Sequence, residues 1–155
     1  MPDDPRGARL PFLLFAGFRQ LVDDMHDRLA ERGHPQVRPS YGFAMQAVGV
    51  EGVSAVVLGR RLGVSKQAAG KTADRLEALG YVERRPDPDD ARSKKIVLTE
   101  RGMDALIISA QIFTEIRTEW AAVMGNEQLC ALEDGLSAVA EKSTPRLDAQ
   151  AWFGP

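Results

Sequence analysis

Apolar residues recur along this chain in two rhythms. Leu14, Phe18, Leu21, Met25 and Leu29 step by four, three, four and four, which lines them up on one face of a helix. Leu10, Phe12, Leu13, Phe15 and Val22 make the first half of that helix apolar nearly all round. Such a helix packs against more than its own domain can offer. Residues 1–9, rich in Pro, Gly and charge, read as a loose arm before it, and Gly33 and Pro35 end it. A short helix is expected over residues 39–48, with Ser40 near its start, before Gly49 and Gly52 break the chain. Ser54 then serves as N-cap for a helix through Leu62 that buries Val57, Leu58 and Leu62. Past Gly63, Ser65 caps a helix running from Lys66 to Leu79, stopped by Gly80. Two helices joined by a glycine-containing turn, each opened by a serine, describe a helix-turn-helix.

The rhythm then changes. Residues 81–85 and 95–99 read as short strands, and Pro86, Asp87, Pro88 and Asp89 between them are turn chemistry. The prolines are expected to stop the ladder, so that the tip projects. From TERG onward the helical rhythm returns: Met103, Leu106, Ile107, Ala110, Phe113, Ile116, Trp120 and Val123 keep helical spacing until Gly125 and Asn126. A last helix over residues 127–141 carries Leu129, Leu132, Leu136 and Val139, and the tail after Lys142 has no assignable pattern. The expected fold is mainly α with a small β-hairpin wing. An arm and dimerisation helix occupy residues 1–38, a winged helix-turn-helix residues 39–102, and dimerisation helices with a tail residues 103–155. The terminal helices carry too much apolar surface to stay single, and two-fold pairing with a second chain covers it.

Charge sharpens this picture. The net charge of −2 does not favour nucleic acid, but the distribution is uneven. Residues 60–101 hold eleven Lys/Arg against seven Asp/Glu, or +4, which leaves −6 for the remainder. A basic sub-region on an acidic body suits either a one-faced nucleic-acid binder or a solvated surface with no ligand. The chain has 155 residues and one cysteine, Cys130, so no disulfide can form within it. That fits a reducing, cytoplasmic setting. No apolar run approaches the ~20 residues of a membrane helix, and the start has no signal-peptide pattern. Two histidines and one cysteine without CxxC or HxxxH spacing argue against structural zinc.

The chemistry concentrates in SKQAAGKTADRLEALG. On a helix from Lys66, Ala69, Thr72, Ala73, Leu76 and Leu79 face the core, while Lys66, Gln67, Ala68, Gly70, Lys71 and Arg75 face outward or lie on the margin. A face small in the middle and cationic or amide-bearing at its edges suits a major groove ~12 Å wide. Gln67 can pair with an adenine edge and Ala68 can meet a thymine methyl. Lys66 and Lys71 can reach guanine edges or phosphates. Gly70 lets the backbone approach closely, at a cost of ~1 kcal/mol in helix propensity. An ordinary amphipathic helix with a solvated face would look similar, and it is the hairpin that decides between the two. There Arg92 follows Asp90 by two residues, and a neighbouring carboxylate can orient its guanidinium. A pre-oriented arginine on a projecting tip fits a narrow minor groove. Arg84, Arg85, Lys94 and Lys95 lie on the stems, within reach of phosphates.

LGRRLGVSKQAAGKTADRLEALGYVERRPDPDDARSKKIVLTERG resembles the winged helix-turn-helix core of MarR-type bacterial transcription regulators. Its most specific pieces are DRLEALGYVERR, DPDDAR and KKIVLTERG, and the close resemblance spans roughly residues 54–102. The resemblance implies a homodimer, a pseudo-palindromic double-stranded DNA operator, and often release by a small phenolic or other lipophilic effector. It also implies a minor-groove role for Arg92 with Asp90 as its partner. The expected DNA contacts are completed by Ser65, the recognition-helix residues above and Lys94. Gly70 and the second helix, SYGFAMQAVG, depart from the family pattern.

Other features are weighed against plainer readings. Cys130 lies among Leu129 and Leu132 and reads as a buried, inert thiol before it reads as a redox sensor. His26 and His34 flank the end of the first helix and read as surface or interface residues before metal ligands. Phe15, Phe18, Tyr41 and Phe43 read either as core or as the lining of an effector pocket. No phosphate loop, nucleophile elbow or His/Asp/Glu cluster suggests an enzyme or a cofactor. The competing functional class is a winged-helix protein-interaction module, which would carry an apolar patch where this chain carries residues 66–75 and Arg92.

Overall fold

The computed structural model describes residues 5–140. The elements run α1 (Pro5–Glu31), α2 (Pro39–Val48), α3 (Ala55–Leu62), α4 (Lys66–Ala78), β1 (Val82–Asp87), β2 (Asp90–Leu98), α5 (Glu100–Met124) and α6 (Asn126–Ala140). The fold is mainly helical, with one two-stranded antiparallel hairpin as its wing. No helix among the described residues is long and apolar enough to cross a membrane.

Local signals place the middle of the chain. Ser54 Oγ accepts the Val57 N–H at 3.3 Å, Ser65 Oγ accepts the Ala68 N–H at 3.1 Å, and Thr99 Oγ1 accepts the Gly102 N–H at 3.1 Å. Each hydroxyl thereby satisfies a donor that its helix leaves orphaned. The α3–α4 turn is tight. A Cβ on Gly59 would stand 2.9 Å from the Val64 carbonyl oxygen, so only glycine lets the two helices approach this closely.

Three expectations need correcting at the edges. Residues 5–9 are helical rather than a loose arm. A proline at the first helical position gives up only an N–H that would be unpaired anyway. The strands are longer than expected, and Pro86 lies inside β1, opposite Lys94. A two-stranded ribbon has a free edge on each strand, where a missing N–H does no harm. The core stripe of α5 is Gly102, Ala105, Ser109, Ile112 and Ile116, whereas Ile107 and Val123 from the expected stripe are exposed. This helix is apolar on several faces, and the face of small residues is the one that allows close packing. A Cβ on Gly102 would fall 2.1 Å from the Tyr81 carbonyl oxygen.

One core joins both ends of the chain to its middle. Met25 and Leu29 of α1, Met45 and Val48 of α2, Leu58 of α3, Leu76 of α4, Val82, Ile96 and Ile112 belong to a single buried cluster. Val53 pairs with Ile96 through reciprocal backbone hydrogen bonds of 2.9 and 2.7 Å, which ties the wing to the segment before α3. Arg28 bridges α1 to Glu119 of α5 at 2.7 Å, and Arg32 bridges to Glu115 at 2.7 Å. His34 is only 4% exposed, contrary to its reading as a surface or interface residue. Its Nε2 lies 3.0 Å from Asp104 Oδ2 and its Nδ1 lies 3.2 Å from the Tyr81 hydroxyl. Both partners come from distant elements, so nothing near His34 in the chain signals its burial.

Two surfaces stay open. Leu10, Phe12, Leu13, Leu14, Phe15 and Phe18 are exposed on the first half of α1, with Phe12 at 75%. On α6 only Leu129 is buried, while Leu132, Leu136 and Val139 are exposed. Cys130 is half-buried there, with its Sγ 3.5 Å from Nη2 of Arg117, and Arg117 also pairs with Glu133 at 2.7 Å.

Candidate nucleic-acid interface

Packing divides α4 into two faces. Ala69, Ala73 and Leu76 are buried, and Thr72 and Leu79 are half-buried. Lys66, Gln67, Lys71 and Arg75 are exposed, with Ala68 and Gly70 half-buried on the margin. The expected outward set is therefore brought together on one side of one helix. Nothing stands within 4 Å of where a Cβ on Gly70 would be, so that surface is open at its centre. Ser65 is exposed at the helix start. Its oxygen is occupied by the Ala68 N–H, which leaves the hydroxyl hydrogen to donate elsewhere.

The wing beside it is shaped by its own acids. Asp87 pairs with Asp90 across a turn of Pro88 and Asp89, and the next pair down is Pro86 with Lys94. Ala91, Arg92 and Ser93 thus have no ladder partners on β1 and form a bulge with Arg92 at its centre, although the Ser93 hydroxyl reaches Asp87 Oδ2 at 3.4 Å. Bulges of this kind re-aim a side chain out of the ladder. Asp87 Oδ1 accepts the Asp89 N–H at 3.0 Å, and Asp90 Oδ1 accepts the Arg92 N–H at 3.0 Å. Ser93 Oγ donates to the Asp90 carbonyl at 3.3 Å.

Two expectations about the wing change accordingly. Arg92 lies in β2 rather than at the turn, and Asp90 holds its backbone rather than its guanidinium. The reason is local: an Asp side chain closes most readily on the main-chain N–H two residues later. The effect on Arg92 is still one of orientation, exerted through the backbone.

Cations on this side of the molecule fall into two groups. Among the described residues, no ion pair engages Lys66, Lys71, Arg75, Arg92 or Lys94. The stem residues expected to reach outward are instead partly occupied. Arg85 pairs with Glu83, and Lys95 lies 3.9 Å from Asp87. Arg84 turns back onto α4, where it pairs with Asp74 at 2.6 Å and with Glu77, and lies 3.4 Å from the Gly70 carbonyl oxygen. Sequence reasoning missed this contact. The pattern DRLEALGYVERR contained its members, but only the turn at Leu79–Tyr81 brings strand and helix face to face.

Phe15 and Phe18 sit on the exposed stretch of α1, while Tyr41 and Phe43 are half-buried on α2. An open cleft of about 480 Å³ lies elsewhere, lined by Arg32, Gly33, His34, Glu100, Arg101 and Asp104. Among the described residues no group of three or more His, Cys, Asp or Glu could hold a metal ion.

The geometry of helix, wing and interior agrees with an independent comparison. Residues 43–93 match the family model described as MarR family. Among solved structures, this chain is similar to FabT of Streptococcus pneumoniae in complex with DNA, with a TM-score of 0.73 at 17% identity, over 86% of this chain and 94% of that one. It is similar to wild-type MarR of E. coli in its apo form, with a TM-score of 0.66 at 21% identity, over 84% of this chain and 96% of that one. It is also similar to the YusO protein of Bacillus subtilis, with a TM-score of 0.67 at 18% identity, over 92% of this chain and all of that one. At these identities the likeness is one of fold. A search of curated proteins finds no match.

Proposed function

We propose that this chain is a MarR-type regulator, a sequence-specific, DNA-binding transcription regulator that acts as a cytoplasmic homodimer and represses its target. The observation that carries the reading is the pairing of an exposed α4 face, bearing Lys66, Lys71 and Arg75 (without an ion pair among the described residues) around Gln67, with a neighbouring bulge centred on the exposed Arg92. Phosphates are the partner that satisfies cations left without acids, and a small-residue helix face is one that a major groove admits. In this reading residues 39–102 form the DNA-binding part. Ser65 and Lys66 take phosphates at the start of α4, Gln67, Ala68 and Gly70 meet base edges, and Lys71 and Arg75 line the groove wall. Arg92 enters the flanking minor groove, Asp90 holds its backbone, and Lys94 takes a phosphate. That FabT has been solved with DNA on a similar fold supports the assignment.

Residues 1–38 and 103–155 serve dimerisation. Their exposed Phe12, Leu13, Leu132, Leu136 and Val139 form the apolar surface that a second copy would cover. Two-fold symmetry then sets half-sites about one helical turn, ~10 bp, apart. A small lipophilic effector, seated against Phe15, Phe18, Tyr41 and Phe43, would release the operator by favouring a dimer with mismatched recognition helices. The alternative, a protein-interaction module, lacks its expected feature: α4 exposes no large apolar side chain. The deciding experiment is a binding titration against DNA from the gene's own upstream region and a scrambled duplex, at several salt concentrations. The proposal expects preference for the upstream DNA and steep weakening with salt. Equal weak binding to both duplexes, together with no enriched site in a genome-wide pull-down, would overturn it.

A further inference from the structure

Most arginines facing DNA in such an arrangement would be expected to leave their acids behind, and Arg84 does the opposite. Its guanidinium is held between Asp74 at 2.6 Å and Glu77, both exposed on α4, and lies 3.4 Å from the Gly70 carbonyl oxygen. Its own backbone N–H donates to Glu77 Oε1 at 3.0 Å. One β1 residue therefore grips α4 at positions 70, 74 and 77, a full two turns of the helix that carries Gln67 and Lys71. The connection between them is short, Leu79 to Tyr81, and the hairpin is a lone two-stranded ribbon. Such a ribbon twists easily unless something beyond its ladder holds it. On the same rung, where Ile96 pairs with Arg84, the opposite edge of the wing is anchored by the Val53–Ile96 bridge, and beyond that rung the wing runs on to Arg92.

We infer that Arg84 is a positioning residue that fixes the angle between recognition helix and wing, so that Arg92 meets the minor groove in register with α4 in the major groove. The inference rests on the DNA-binding reading above and deepens it. Planarity matters here. A guanidinium offers donors in a fixed fork and can serve two carboxylates and a carbonyl at once, whereas an ammonium is a point charge with no preferred plane. Arg84 also neutralises the two acids on the exposed face of α4, an effect that must be separated from positioning.

Three variants separate the two effects. Arg84→Ala removes grip and charge together. Arg84→Ala combined with Asp74→Asn and Glu77→Gln removes the grip together with both acids, so that no unmasked carboxylate remains. Glu77→Gln loosens the grip from the exposed helix surface and leaves the strand untouched. Each is examined on the operator duplex by chemical protection of major-groove guanine N7 and of the flanking minor groove. Positioning expects all three to lose flanking minor-groove protection while keeping major-groove protection, with specific affinity falling roughly ten- to a hundredfold for Arg84→Ala, the cost of one to two base contacts. Full recovery of affinity and flanking protection in the triple variant would reduce Arg84 to a charge mask and overturn the inference.

A readout without DNA keeps the two readings apart. Spin labels placed through Lys71→Cys and Lys94→Cys in a Cys130→Ala background report the helix-to-wing distance in the free protein. A narrow distribution that broadens in Arg84→Ala and in Glu77→Gln supports the grip, even if the wild-type chain protects no duplex and the DNA reading falls. Identical distributions in all variants would overturn the grip, whatever the DNA does.

Discussion

The winged lobe and the terminal helices are each incomplete alone, but in opposite chemistries. On α4 and the wing, five cations lack acids among the described residues. On α1 and α6 several charged residues are paired: Arg19 with Asp23, Arg28 with Asp24 and Glu119, and Glu133 with Arg117 of α5. There it is the apolar residues that lack cover. What a surface leaves unsatisfied indicates its partner. Bare cations call for phosphate, which salt screens, and bare leucines and phenylalanines call for another apolar surface, which salt leaves intact or strengthens.

The largest effect should come from crossing the two. Leu13→Glu with Leu136→Glu places charge in the apolar surface of α1 and α6. It is expected to yield a monomer of 17.0 kDa in sedimentation. Operator affinity should then fall by roughly 10²- to 10⁴-fold through lost bivalency. A stable dimer in that variant would break the comparison, because those residues would then lie outside the interface. Next in size is Arg92→Ala. Operator affinity should drop roughly tenfold or more while dimerisation and melting temperature hold, since the side chain makes no ion pair among the described residues. The salt slope should flatten by about one unit if Lys94→Ala is measured beside it, one phosphate contact being worth ~0.9.

Gly70→Ala sharpens the same contrast within one residue. No atom lies within 4 Å of the added methyl group, so α4 should gain up to ~1 kcal/mol of helix stability. The methyl group would fill the gap through which a base edge approaches. A higher melting temperature with weaker operator binding is expected, and unchanged binding would remove Gly70 from the interface.

The smallest effect concerns acid. Hydrogen bonds from Arg32 and Arg28 hold the Glu115 and Glu119 carboxyls below their ordinary range, and Arg117 does the same for Glu133. A depressed folded-state pKa stabilises the protein above the unfolded value, near ~4.3 for Glu, and that contribution is lost as pH falls through the folded pKa. Melting followed between pH 6 and pH 3 should therefore show packing of α1 and α6 on α5 weakening at the acid end. Glu119→Gln should flatten that dependence slightly, because these pairs are exposed and individually weak. A steeper dependence in Glu119→Gln would contradict the assignment.

Much of this molecule could be read from short range. The bounds of α2, α3 and α4 agree with the sequence within a residue, because a capping serine or glycine and the donors it serves lie within four positions of each other. The outward face of α4 followed from period alone. What remained hidden depends on partners far apart in the chain. His34 is buried by Tyr81 and Asp104, 47 and 70 residues away. The packing face of α5 was decided by Gly102 against Tyr81, not by its largest apolar residues. Arg84 looked like one more free cation until the turn after α4 folded it onto Asp74 and Glu77. Local hydrogen bonds and helical period are properties of neighbouring residues, so sequence alone determined the helix-turn-helix and its cationic face. Which cations remain free, and which apolar faces remain bare, depends on what each one meets after the chain closes on itself, and only the tertiary structure decided that.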